Sequence, residues 1–116
     1  MSSKRLSVVG GVVYPGRRVP LSRGRFSYPF ARLTLSSKDV TLGPRGWFRR
    51  LVEPTVIPYD GVTRVERVVP PDFLRFAEGL RFRSERDEWD RLYFSSFRGR
   101  VDEVVAVLRE HGVRVR

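Results

Sequence analysis

The residues best suited to chemistry lie in the segment Arg45-Gly46-Trp47-Phe48-Arg49-Arg50. Two aromatic rings among three guanidiniums on a glycine- and proline-containing loop suit a membrane interface, where rings enter the head-group layer and arginines meet lipid phosphates. They suit a protein contact equally, and nucleic acid as well, because bases stack on rings and phosphates attract arginine. In the structural alternative, Trp47 and Phe48 fold back to cover an open end of the domain.

A second cationic segment precedes a run of aromatic residues. It contains Arg17, Arg18, Arg23 and Arg25 and leads into Phe26-Ser27-Tyr28-Pro29-Phe30. The segment could act as a flexible electrostatic arm, or it could be a solvated tether. Together the two segments give the candidate ligand-binding residues, which are Arg45, Trp47, Phe48, Arg49, Arg50, Arg17, Arg18, Arg23 and Arg25.

The charge of the chain is concentrated in its first half. The formal net charge is +10, and residues 1–50 contain 11 Lys and Arg against Asp39 alone. Residues 51–116 contain 12 residues of each sign and are neutral overall. An excess of this kind favours an anionic partner, either a lipid surface or nucleic acid.

The residue types needed for most catalysis are missing. The sequence has no cysteine and one histidine, His111, which excludes disulfides, thiolate nucleophiles and Cys- or His-pair metal sites within one chain. It has no glycine-rich phosphate loop of the Walker type, and Asp60 and Asp72 stand where turn formers are expected. We therefore expect a protein that is not an enzyme and that needs no cofactor or metal, with His111 as a surface residue at a helix end.

The length of 116 residues fits a single domain. The longest uncharged run, Leu6 to Gly16, is far shorter than the ~20 apolar residues of a membrane-spanning helix. Lys4-Arg5 before Leu6–Val13 imitates a secretory leader, but Gly10-Gly11 and the lack of a cleavage site favour a strand or a hairpin turning at Gly10-Gly11. We expect a cytoplasmic protein, which could lie peripherally at the inner face of the membrane.

Most of the remaining chain shows the two-residue alternation of β-strands. Pro54 places its strand at a sheet edge or a bulge, and unpaired edges of this kind are compatible with a homodimer formed by strand pairing. Trp89, among acidic neighbours, either packs over the mouth of the fold or faces a partner. The predicted strands are residues 31–35 and 40–42, which form a hairpin around the turn Ser36-Ser37-Lys38-Asp39, then 51–57 and 63–69, and a second hairpin of 80–83 and 91–94.

The C-terminal segment changes to the helical period. Its apolar residues follow the i, i+3, i+4, i+7 spacing of one helical face, which predicts a helix over about residues 100–111, with Asp102 and Glu103 in its first turn. Gly112 is placed as a left-handed cap and Val113 for the accompanying apolar contact. The apolar stripe must pack against the sheet; it consists of Val101, Val104, Val105 and Leu108.

This pattern resembles the pleckstrin-homology-like (PH-like) superfold, including GRAM-type and small actinobacterial domains, over residues 28–115. The resemblance implies a curved antiparallel sheet or partly open barrel capped by the helix, a basic extension over residues 1–25 and a PH-like domain over 26–116. It further implies a non-catalytic binding module for an anionic membrane surface or a protein partner, with nucleic-acid binding as the alternative. The matching segments are Ile57-Pro58-Tyr59-Asp60-Gly61-Val62-Thr63-Arg64-Val65, Gly79-Leu80-Arg81-Phe82, Leu92-Tyr93-Phe94-Ser95-Ser96-Phe97 and Gly112-Val113.

Overall fold

A computed structural model describes residues 5–13, 25–46, 50, 53–68 and 77–116, without the side chains of residues 25–27. Within these ranges the chain forms seven β-strands, a short 3-10 turn and one α-helix. The strands are β1 (Leu6–Val13), β2 (Arg25–Leu35), β3 (Asp39–Pro44), β4 (Thr55–Pro58), β5 (Arg64–Val68), β6 (Ala77–Arg83) and β7 (Leu92–Phe97); the 3-10 turn is Tyr59–Gly61 and the helix α1 is Arg98–Glu110.

The described strands form one antiparallel sheet in the order β4-β3-β2-β1-β7-β6-β5. The predicted hairpin of β2 and β3 is confirmed: Leu33 pairs with Leu42, and in the turn the amide of Ser36 donates to the carbonyl of Asp39 at 2.9 Å. The second predicted hairpin, β6 with β7, is confirmed by the pairing of Phe82 with Leu92.

Of the two alternatives predicted for residues 6–13, the structure shows the strand and not the hairpin. β1 is one continuous strand that pairs with both β2 and β7, so residues 6–13, expected to belong to an extension, lie at the centre of the sheet. Gly10 is needed for close packing rather than for a turn. A Cβ atom there would lie 2.2 Å from the carbonyl oxygen of Ser95 and 2.6 Å from Cζ of Phe94.

The inner face of the curled sheet is closed by α1, which contacts β6, β7, β1 and β2. The four predicted stripe residues of the helix are each at most 2% exposed. The fold class predicted from the sequence is therefore confirmed: the described chain is mainly β, a curled half-barrel sheet with one C-terminal helix. The core residues from the sheet include Val8, Val12, Leu33, Leu35, Leu42, Ile57, Val65, Leu80, Phe82 and Phe94.

The C-terminal cap of α1 matches the prediction, whereas its N-terminus does not. Gly112 has a φ of 79°, its amide donates to Arg109, and the amide of Val113 donates to Leu108, which together make a Schellman motif. The helix begins at Arg98 and has no acidic residue in its first turn. The expectation that Asp102 lies in the first turn is wrong, because the helix starts directly after β7.

The two edges of the sheet differ. β4 lies at one edge and begins directly after Pro54, as the missing backbone donor of proline predicts. β5 lies at the other edge, where the amide of Val65 donates to the carbonyl of Arg114 at 2.8 Å and Val65 forms a parallel bridge with Val115. The C-terminal residues thus cover the β5 edge. The predicted strand end at Pro70-Pro71-Asp72 lies outside the described residues.

Trp89 packs against the fold, which is the structural alternative predicted for it. Its side chain is partly buried against the core, and its ring lies on Gly61, where an added Cβ would be 2.6 Å from Cζ3 of Trp89. The guanidinium of Arg86 stands 4.8 Å from the centroid of the indole ring. Trp89 therefore joins the β6–β7 connection to the 3-10 turn.

Candidate functional site

The outer face of the sheet carries polar side chains where β2 and β3 pair. The buried residues of β2 alternate with Arg32 and Thr34, which consequently point away from the core. In the ladder Arg32 stands opposite Gly43 and Thr34 opposite Thr41. One guanidinium and two hydroxyl groups therefore share the outer face of this hairpin.

These residues line a groove of about 380 Å³. Arg5, which directly precedes β1, contributes a second guanidinium, and Arg45, which directly follows β3, contributes a third. We call this feature the cationic groove. Its lining residues are Arg5, Arg32, Thr34, Thr41, Gly43, Pro44, Arg45, Gly46 and Pro54.

Arg45 connects the end of β3 to the adjoining part of β2. Its amide donates to the carbonyl of Phe30 at 2.7 Å, and its Nη1 donates to the carbonyl of Pro29 at 3.2 Å. A guanidinium has five N–H donors, so the bond to Pro29 leaves most of them available. Arg45 is therefore held in place and can still bind an anion.

The segment that holds Arg45 is an aromatic bulge, residues 27–30. In the β1–β2 ladder Gly10 pairs with Ala31 and Val12 with Phe26, so the bulge faces a single residue of β1. Tyr28 and Phe30 are each 49% exposed. The ring of Tyr28 meets that of Phe97, itself 52% exposed, edge-on at 5.2 Å. Exposed rings thus adjoin the groove through Arg45.

Within the described residues, the arginines of the cationic groove differ from other arginines of the sheet in having no carboxylate partner. On the β5–β6 part of the outer face, Glu66 lies 3.3 Å from Arg64 and 3.9 Å from Arg83, and Asp90 lies 3.0 Å from Arg83. Among the described residues, none of the three groove arginines has a carboxylate oxygen within 4.0 Å. The positive charge of the groove is therefore left for a ligand.

One further arginine, Arg67, forms ion pairs within the fold. Arg67 on β5 donates to both carboxylate oxygens of Glu78, each at 2.7 Å, and to Asp102 on α1. The hydrogen bonds to Glu78 and then to Asp102 raise the pKa of the Arg67 guanidinium. This network ties the helix to the sheet edge and offers no charge to a ligand.

Two tyrosines and the histidine also serve the packing. Burial raises the pKa of Tyr59 to about 12, with a further contribution from Asp39, and the Tyr59 hydroxyl donates to the carbonyl of Ser36 at 2.6 Å. His111 stacks on Tyr59 with the ring centroids 4.3 Å apart. Burial likewise raises the pKa of Tyr93. His111 therefore connects the end of α1 to the 3-10 turn.

Few of the site residues predicted from the sequence fall within the described chain. Arg45 lines the groove, Arg50 is exposed, and Arg25 begins β2, where its backbone pairs with Val13. The structure does not describe the remaining predicted residues, which are Trp47, Phe48, Arg49, Arg17, Arg18 and Arg23.

Most of the groove residues are not among the site residues predicted from the sequence. The alternation in Ala31-Arg32-Leu33-Thr34-Leu35 places Arg32 and Thr34 on the outer face, and the tight turn to β3 brings Thr41 opposite, so part of the site was readable from the pattern. Arg5 could not be placed, because its position depends on the long-range pairing of β1 with β2.

No protein-family model matches the chain, and no curated protein matches it in sequence. Across the described part of the chain, no group of three or more His, Cys, Asp or Glu side chains is arranged to hold a metal ion. In the same residues no helix has the length and hydropathy to cross a membrane.

Proposed function

We propose that this protein is a non-catalytic binding module whose outer sheet face engages an anionic membrane surface. The proposal is carried by one observation, the juxtaposition of arginines that lack carboxylate partners in the described chain with the exposed rings of Tyr28, Phe30 and Phe97. Cations attract lipid phosphates, whereas aromatic rings favour the head-group layer, where one side is apolar and the other wet.

The expected energies separate the contribution of the arginines to membrane binding from that of the aromatic rings. A basic residue near an anionic leaflet contributes about 1 kcal/mol, so the three groove arginines together contribute about 3 kcal/mol, roughly a 150-fold increase in partitioning. That is marginal without apolar contact. The aromatic bulge supplies this contact, and Trp47 and Phe48, two and three residues after Arg45 in sequence, are proposed to add to it.

We further propose that the chain is a PH-like domain acting at the cytoplasmic face of the membrane. The support is the strand order together with the position of the C-terminal helix over one face of the sheet. In phosphoinositide-binding members a Lys-xₙ-Lys/Arg-x-Arg stretch spans the first hairpin. In this chain that hairpin is β1 with β2, and β1 contains no lysine, although Arg23-Gly24-Arg25 matches the second half of the stretch. The proposal is therefore for an anionic surface rather than for a particular phosphoinositide.

The test is co-sedimentation with vesicles that contain increasing fractions of anionic lipid. The bound fraction of the wild-type protein should rise with anionic content, and Tyr28→Ser combined with Phe97→Ser should reduce it severalfold. Phe97→Tyr, which keeps the ring, is the matched control and should bind as the wild type does. Trp47→Ala with Phe48→Ala should also reduce binding. Equal recovery of all variants, or no recovery of any, contradicts the proposal.

Nucleic acid is the second candidate, favoured by the alignment of Arg5, Arg32 and Arg45 along one groove. It predicts binding to single-stranded RNA or DNA with an affinity that falls steeply with salt. Binding of an oligonucleotide at 0.15 M salt by a protein that ignores anionic vesicles would replace the membrane proposal. If a protein partner binds this surface instead, it should bind in the absence of both vesicles and nucleic acid.

A further inference from the structure

The geometry points to the cationic groove as a binding site for one phosphate monoester group, a doubly charged anion. This inference rests on the proposed function, because it names the chemistry by which the outer face would recognise its ligand. It also goes further, since a charged surface alone would not distinguish a monoester from any other anion.

The donors of the groove match a tetrahedral dianion. Arg5, Arg32 and Arg45 present guanidiniums, whose planar N–H forks bind phosphate oxygens in pairs. The hydroxyls of Thr34 and Thr41, on paired positions of β2 and β3, can donate to further oxygens. A phosphate monoester carries a charge of about −1.5 to −2 at pH 7, which three guanidiniums without a carboxylate neighbour in the described part of the chain can balance.

The groove is partly organised before any ligand arrives. Arg45 is bonded to the carbonyl of Pro29, and Thr34 Oγ1 lies 3.3 Å from Ser7 Oγ on β1. Pro54 forms a wall against Gly43, since a Cβ added at Gly43 would be 3.0 Å from the Cα atom of Pro54. Any side chain at this glycine would displace that wall. A ligand therefore meets donors whose backbone positions the sheet already fixes.

A phosphate monoester can come from two sources, a lipid head group such as that of phosphatidic acid or a small soluble phosphate ester. Both present the same terminal phosphate. A phosphodiester lipid such as phosphatidylglycerol offers one charge and fewer free oxygens. The site should therefore prefer the monoester over the diester at equal surface charge.

The first experiment titrates the full chain with inorganic phosphate at constant ionic strength and follows the amide signals of Thr34 and Thr41 by NMR. Saturable shifts at these residues are expected. Arg32→Gln should weaken the affinity about five- to tenfold, as expected for an exposed charge-assisted contact, and Thr41→Val should weaken it about two- to fivefold for one lost hydroxyl bond.

The matched control is Arg109→Gln, which removes the same charge from an exposed position on α1, and α1 packs on the opposite face of the sheet. It should leave the affinity within about twofold of the wild type, because α1 lies on the opposite face of the sheet and salt screens the interaction between such separated, exposed charges. Non-saturable shifts, or equal losses for Arg32→Gln and Arg109→Gln in a folded protein, overturn the inference.

The second experiment distinguishes a lipid phosphate from a soluble phosphate ester. It also distinguishes the membrane proposal from the phosphate site in the groove. Vesicles with phosphatidic acid and vesicles with phosphatidylglycerol are compared at equal surface charge, beside glycerol 3-phosphate in solution. A preference for phosphatidic acid that Arg32→Gln abolishes supports the lipid source. Saturable binding of glycerol 3-phosphate without vesicle binding supports the groove with a soluble ester and overturns the membrane proposal. Equal binding of both vesicle types without saturable phosphate binding overturns the groove inference alone.

Discussion

Gly99 and Gly112 stand at the two ends of α1, and the same substitution should have opposite effects at them. In neither place would an added Cβ lie within 4 Å of another heavy atom, so steric contact plays no part. Gly112 has a φ of 79°, where an alanine costs about 1–2 kcal/mol. Gly99 lies within the helix without a positive φ, where alanine is favoured over glycine by about 0.5–1 kcal/mol.

These energies convert directly to shifts in the melting temperature. At about 2.1 cal/mol/K per residue, a 116-residue domain has an unfolding entropy of about 0.24 kcal/mol/K. Gly112→Ala should therefore lower the melting temperature by about 4–8 °C, and Gly99→Ala should raise it by about 2–4 °C. Circular dichroism at 222 nm during heating measures both. Shifts of the same sign, or an unchanged Gly112→Ala, would refute the helix end described above.

Gly10→Ala should destabilise the fold by about 3 kcal/mol or more, because its Cβ would meet the backbone oxygen of Ser95; an unchanged urea midpoint would show that β1 is misplaced. Glu78→Gln should lower the free energy of unfolding in urea by about 2–3 kcal/mol, because it weakens the pair with Arg67. Adding Arg67→Met should recover part of that loss. A double variant whose loss equals the sum of the two single losses would argue against the pair. Burial raises the pKa of Tyr59 from 10.0 to about 12, so the folded state keeps the neutral phenol; the contribution of Tyr59 to stability should be constant below pH 10 and fall between pH 10 and 12. Tyr59→Phe should flatten that fall, and equal slopes would contradict it.

The parts of the fold predicted from sequence are those that depend on neighbours in the chain. The β2–β3 and β6–β7 hairpins follow from alternation and short turns, and the helix cap follows from the position of Gly112 after the last apolar residue. For β1 the sequence left a strand and a hairpin open, because Gly10-Gly11 has the chemistry of a tight turn. What decides its conformation is the aromatic ring of Phe94, which lies 84 residues away in the sequence and packs against Gly10.

The residues of the candidate site also differ in whether their positions depend on neighbours in the chain or on long-range pairing. Arg32 and Thr34 can be assigned to the outer face from alternation alone, and Thr41 from the hairpin that follows. The contributions of Arg5 and Arg45 depend on the pairing of β1 and on the hydrogen bonds of Arg45 to the bulge. The composition of residues 45–50 predicted Arg45, Arg49 and Arg50 as ligand-binding residues. Of these, the described groove contains Arg45.

Under the proposed function, the outer face of the sheet and not the helix side meets an anionic membrane. Hydrogen–deuterium exchange of the full chain with and without anionic vesicles tests it most directly, because it reports which backbone amides become protected. Slower exchange is expected at residues 27–30 and 41–46 in the presence of vesicles, with α1 unchanged. Protection confined to α1, or no change anywhere with bound vesicles, would contradict it.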